Sequence, residues 1–130
     1  MANFIGVIIE ESLENKTVLQ KVKIIHTKIE QVTEKHKTPW INQWTLHTVE
    51  IPENHAKGIA KEISTTLAST HAWYADFKNN LFHYIIFRNR VFRVDRSQQG
   101  QYNEATAYGL TLGIPAYQLD FSPHIKEGKG

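Results

Sequence analysis

The chain of 130 residues contains no cysteine, which removes disulfides, thiolate catalysis and every zinc site built on sulfur. It also lacks an excess of one charge. Fifteen Lys and Arg against thirteen Asp and Glu leave +2 with histidine neutral, too weak a field to capture a polyanion by electrostatics alone. Long apolar runs are missing as well. Phe4 to Ile9 is short and is followed at once by Glu10 and Glu11, so it is neither a signal segment nor a bilayer span. No basic amphipathic helix offers a surface anchor. A cytoplasmic location without a membrane partner is therefore expected. Gly-rich phosphate loops, nucleophile elbows and HExxH segments are absent, and Gly109 to Gly113 lacks the first half of a dinucleotide fingerprint. No cofactor is expected.

What is present is ordinary globular composition, 41% hydrophobic and 22% charged, in a length that suits one domain with one core. The β-branched run Phe4 to Ile9 reads as a buried strand. Ser12 is placed to cap a short helical turn through Leu13, Leu19 and Val22. Val22 to Val32 leans to strand, because Lys28 to Thr33 alternates and is rich in β-branched residues. It leads through Pro39 into a turn and a second arm, Trp44 to Ile51, which Pro52 ends. The clearest element follows: Ala56, Ile59, Ala60, Ile63 and Leu67 form one stripe of a helix over residues 54–69. Gly58 within it is expected to permit close packing.

Trp73 to Phe77 and His83 to Asp95 read as further strands, the second containing its own hairpin. With Asn89 and Arg90 as the turn, Phe87 faces Phe92 and Ile85 faces Val94 on one side, and Tyr84, Ile86, Arg88 and Arg93 share the other. Tyr102, Ala105, Tyr108 and Leu112 predict a final helix, stopped by Gly113 and Pro115. Leu119 and its neighbours dock afterwards. The expected fold is a single α+β domain of two layers: a mostly antiparallel sheet of about five or six strands with both helices on one face. That arrangement leaves Trp44, Tyr74, Tyr84 and Ile86 on an uncovered face, and such patches mark association or ligand sites.

Four groups of residues carry candidate chemistry. His71, Asp76 and His83 pair two imidazoles with a carboxylate, a donor set that suits a divalent metal in a small enzyme or metal protein. Their spacing matches no metal motif, and histidines at strand ends more often cap backbone groups. Asp76 lies inside a strand and needs a partner if buried. In the structural reading Asp76 either pairs across strands with an arginine (Arg88, Arg93 or Arg96) or is simply exposed to solvent on the outer face. In the functional reading Asp76 is a ligand-orienting carboxylate or general base beside Tyr74 and Tyr84. Arg88, Arg90, Arg93 and Arg96 lie amid Tyr84, Phe87 and Phe92, a mixture able to grip phosphate and stack bases of single-stranded nucleic acid. Near-neutral charge and the missing RNP1 pattern oppose it, and a solvated cationic edge explains the arginines equally. Trp40 and Trp44 flank a polar loop that serves either as a partner anchor or as a lid on the core.

The segments 38–50, 73–79 and 108–115, which include Trp40, Trp44, Trp73-Tyr74-Ala75-Asp76-Phe77 and Tyr108 to Pro115, resemble a small prokaryotic protein family with no assigned activity. The resemblance implies a self-contained prokaryotic domain and transfers no site residue. The reading that follows is a ligand- or protein-binding module, with Trp40, Trp44, Tyr74, Asp76, Tyr84, Arg88 and Arg93 as contact residues. It carries no metal of its own and forms a homodimer through the open face.

Overall fold

The computed structural model describes residues 3–31, 43–69, 73–114 and 119. Trp40 and His71 lie outside them. Six strands form one antiparallel sheet: β1 (Phe4–Ile9), β2 (Lys23–Gln31), β3 (Gln43–Ile51), β4 (Tyr74–Lys78), β5 (Phe82–Phe87) and β6 (Arg90–Asp95), in the spatial order β2-β3-β1-β4-β5-β6. Helix α1 (Ala56–Thr66) joins β3 to β4, and helix α2 (Gln99–Thr111) follows β6. Short 3₁₀ turns at Glu10–Ser12 and Lys16–Gln20 occupy the segment read as a weak helical turn. Ser12 caps neither, because its hydroxyl donates to the Ile9 carbonyl at 2.6 Å.

The fold class is α+β as the periodicity indicated, but the helices do not share a face. Strand side chains alternate between the two sides of a sheet, and β5 shows where each side is covered. Tyr84 and Ile86 join Phe4, Ile8, Val49, Ile51 and Phe77 in a core sealed by Ala56, Ile59, Ala60 and Ile63 of α1. Ile85 and Phe87 point the other way, into a second core with Val94, Tyr102, Ala105, Ile114 and Leu119. The molecule thus has three layers, helix, sheet and helix. Tyr84 and Ile86 are buried, at 6% and 0% exposure, so the open face expected at those residues does not exist. A strand of uninterrupted apolar residues, such as Tyr84-Ile85-Ile86-Phe87, signals cover on both sides.

The β5–β6 turn is Arg88-Asn89, which sets Phe87 opposite Arg90 and Ile85 opposite Phe92. Asn89 has φ 60°, a left-handed conformation that asparagine tolerates well. This register differs by two residues from the expected one, and a shift of two leaves every side chain on its expected face. Close packing needs glycine elsewhere than Gly58, which has open space around it. A Cβ on Gly6 would meet the Asp76 carbonyl oxygen at 2.0 Å, and one on Gly109 would meet Leu119 at 2.6 Å. Gly6 therefore lets Phe77 of β4 lean across β1, and Gly109 brings α2 down onto Leu119 and Phe87.

Helix α2 packs on the β5–β6 end of its face. On that same side Ile5 and Val7 of β1 stay 40% and 38% exposed. Half of one sheet face is thus open among the described residues. The edge strand β2 is exposed and carries a bulge between Ile24 and His26, a device that discourages edge-to-edge pairing.

Candidate functional site

The open half-face contains a pocket of about 150 Å³ lined by Val7, Ile9, Trp44, Leu46, Trp73, Tyr74 and Asp76. The strand register builds it. Val7 lies opposite both Thr48 and Asp76, and Ile9 lies opposite Leu46, so β1, β3 and β4 present these residues to one side. Trp44 and Trp73 meet edge to face, 6.5 Å between ring centroids and 67° between planes, which fixes the aromatic end of the pocket. Tyr74 also touches the α2 core, its ring 6.2 Å from that of Phe87, and so forms the border between covered and open sheet.

Asp76 is the charged group in this lining, with 31% of its side chain exposed. Behind it stands a buried relay. His83 Nε2 lies 2.7 Å from Asp76 Oδ2, and His83 Nδ1 lies 3.0 Å from the Tyr102 hydroxyl. Burial pushes the Tyr102 phenol above its ordinary 10.0, against the nearby Arg96 guanidinium, which lowers it. The phenol therefore stays protonated, and because a carboxylate oxygen can only accept, the ring Nε2–H donates to Asp76 Oδ2. Arg96 is itself anchored, its Nη1 donating to the Asn79 carbonyl at 2.6 Å. The result is a carboxylate held in one orientation at the edge of an aromatic pocket. Both imidazole nitrogens are engaged within the relay, which leaves neither free for a metal. Among the described residues no group of three His, Asp or Glu converges on a metal position.

Trp44, Tyr74 and Asp76 of the expected contact residues converge here. Asp76 has the buried partner that its place in a strand demanded, although that partner is His83 and none of the three arginines. Tyr84 and Arg93 pair across β5 and β6 on the opposite, α1 face, since residues of opposite strand parity cannot share a side. Arg88 belongs to neither set. Its Nη1 donates to the Leu67 carbonyl at 2.7 Å, just past the end of α1, and it lies 3.8 Å from Glu14. This is a clamp on a helix C-terminus, where a cation is favourable. Together with the Ser64 hydroxyl, which donates to the Phe87 carbonyl at 2.8 Å, it ties α1 to the β5–β6 turn. Arg90 stacks on Phe92 and Tyr108 on the α2 side, and Arg93 on Phe82 on the α1 side. The four arginines consequently form no single nucleic-acid surface.

Sequence reasoning missed two features. His47, buried in the α1-side core region, lies 2.7 Å from Glu10 and 2.9 Å from Thr27 Oγ1, a second carboxylate–imidazole–hydroxyl chain. Glu10 is 37 positions away in sequence, and no local signal announces such a contact. Lys57 and Lys61, which no pattern along the chain singles out, line a groove with Tyr84, Val91 and Arg93. Comparisons with family models, with curated proteins and with solved structures gave no match.

Proposed function

We propose that this domain is a non-enzymatic binding module whose aromatic pocket receives a cationic group of its ligand. The observation that carries the proposal is Asp76: a carboxylate oriented from behind by a buried imidazole and flanked by Trp44, Trp73 and Tyr74. A cation over an aromatic face gains roughly 0.5–2 kcal/mol, more where water is excluded. A fixed carboxylate adds a charge-assisted hydrogen bond without the cost of ordering it on binding. The pocket volume limits the occupant. About 150 Å³ holds one benzene-sized group, well short of the roughly 300 Å³ or more of a site that encloses a whole small molecule. An alkylammonium or guanidinium head projecting from a larger ligand fits that description.

The test is a nuclear magnetic resonance titration with tetramethylammonium and butylguanidinium, with benzoate as the anionic control. Saturable shifts at Trp44, Trp73 and Tyr74, with a Kd on the order of 1 mM, are expected for the two cations, and at least tenfold weaker binding in Asp76→Asn. Equal binding of benzoate, or cation binding indifferent to that substitution, would remove the proposal.

Self-association is the second reading, and the exposure of Ile5 and Val7 beside the pocket favours it. Light scattering across micromolar concentrations is expected to show a dimer mass that Val7→Lys abolishes. A monomer throughout that range ends the dimer reading and leaves the pocket proposal intact. No helix among the described residues is long and apolar enough to cross a membrane.

A further inference from the structure

On the side of the sheet away from the aromatic pocket, an open groove of about 540 Å³ runs between α1 and β6, lined by Lys57, Lys61, Tyr84, Val91 and Arg93. Lys57 and Lys61 are one helical turn apart and so project from the same stripe of α1. Arg93 stands opposite Tyr84, and Val91 opposite Ile86, in the β5–β6 register. Two elements thus aim three cations at one space, above a floor made by a phenol ring and a valine.

The two lysines lack the usual compensation. Cations on a helix surface are commonly matched by acids three or four positions away, but Glu53, four positions before Lys57, forms no ion pair among the described residues, and Glu62, next to Lys61, pairs with Lys21 at 3.0 Å. Among the described residues Lys57, Lys61 and Arg93 form no ion pair with a carboxylate. Asp95, two residues along β6 on the same face as Arg93, accepts from the Ser97 hydroxyl and backbone N–H at 2.7 and 2.9 Å, and these bonds together with the charge of Arg93 lower its pKa, so the carboxylate partly offsets Arg93 without forming an ion pair with it. Arg93 is also held ready. Its guanidinium carbon sits 3.8 Å from the centroid of the Phe82 ring. Stacking of that kind uses the flat face and leaves the N–H edge free to donate to an oxyanion.

We propose that this groove binds a small organic phosphate: the phosphoryl group among Lys57, Lys61 and Arg93, and a flat or apolar body against Tyr84 and Val91. Three donors from two directions match a dianionic tetrahedral group better than a planar carboxylate, which two parallel N–H groups already satisfy. The volume admits more than a free phosphate ion, lying within the range that encloses small ligands. A polynucleotide is disfavoured, because its binding grows with the number of phosphates neutralised along a track, and the cations here converge on one groove while the chain as a whole carries only +2. This inference is independent of the cation pocket, which uses other residues on the other side of the sheet.

Phenyl phosphate is the probe, titrated into the full chain by calorimetry beside inorganic phosphate, phenol and a single-stranded oligonucleotide. Phenyl phosphate is expected to bind at least tenfold more tightly than inorganic phosphate, and phenol not at all. The exposed substitutions Lys57→Glu and Lys61→Glu should each weaken phenyl phosphate at least tenfold without moving the melting temperature, and Arg93→Lys should weaken it less. Undetectable binding, or binding unaffected by both glutamates, overturns the proposal. Tighter binding of the oligonucleotide with a steep salt dependence also overturns it, in favour of a nucleic-acid backbone.

Discussion

The two sides of the sheet solve the same burial problem differently. Under α1 a continuous apolar cluster runs from Val49 and Ile51 on β3 across Phe4, Ile8 and Phe77 to Tyr84 and Ile86 on β5. Under α2 the core is smaller, covers one end of the sheet and has a polar chain, Asp76–His83–Tyr102, at its border. The α1 side therefore carries most of the packing energy. The α2 side tolerates polar groups because its border meets solvent, where an oriented carboxylate remains usable. The contrast teaches that apolar packing is concentrated under α1 while the open border of the α2 side keeps an oriented carboxylate within reach of solvent; polar atoms taken out of water need partners on either side, as His47 finds in Glu10 and Thr27.

The sharpest way to break that division is Phe77→Ala, which empties the centre of the sealed side and touches nothing on the other. Denaturant unfolding is expected to show a loss of about 3–5 kcal/mol, with the cation titration unchanged in the variant that remains folded. A loss below about 1 kcal/mol would show that the α1 side is not the main store of stability.

Next in size is His83→Leu, which strands the Asp76 carboxylate and the Tyr102 hydroxyl together. Its expected cost is about 1–3 kcal/mol, and cation binding should fall with it because the carboxylate loses its orientation. Retention of full affinity would mean that the relay is structural only.

Tyr102→Phe sharpens the comparison through pH. Burial raises the phenol above 10.0 in the folded protein, so the folded state holds that proton more tightly than the unfolded chain. The corresponding stability is whole below about pH 10 and is lost as pH climbs through the higher folded value. Thermal melts across alkaline pH should show this decline in the native chain and a flatter one in Tyr102→Phe. Identical profiles would place the alkaline transition elsewhere. The smallest effect belongs to Val7→Thr on the open half-face, expected within about 0.5 kcal/mol of the native stability.

Much of this architecture was legible along the chain. The apolar run at Phe4–Ile9, the stripe from Ala56 to Leu67 and the alternation through Trp44 to Ile51 each contain their own period, and the elements formed where those periods lie. Trp44, Tyr74 and Asp76 stood out along the chain because large aromatics and a strand carboxylate are costly to place without a partner, and the fold brings the three to one pocket. The grouping of Tyr84 and Arg93 with them was wrong for a topological reason. Both helices were assigned to one side, whereas the crossover through α1 and the return of α2 fall on opposite sides.

The sequence alone determined where the main strands and helices lie, that the fold is α+β, and that a buried Asp76 needs a partner, since these follow from periodicity and from desolvation acting on single residues or neighbours. Only the tertiary structure decided that the partner is His83, that β1 lies between β3 and β4, and that Lys57 and Lys61 face Arg93. Those outcomes depend on strand order and on the side each helix takes. Such choices are set by the summed packing of residues far apart in the chain, and no local pattern encodes them.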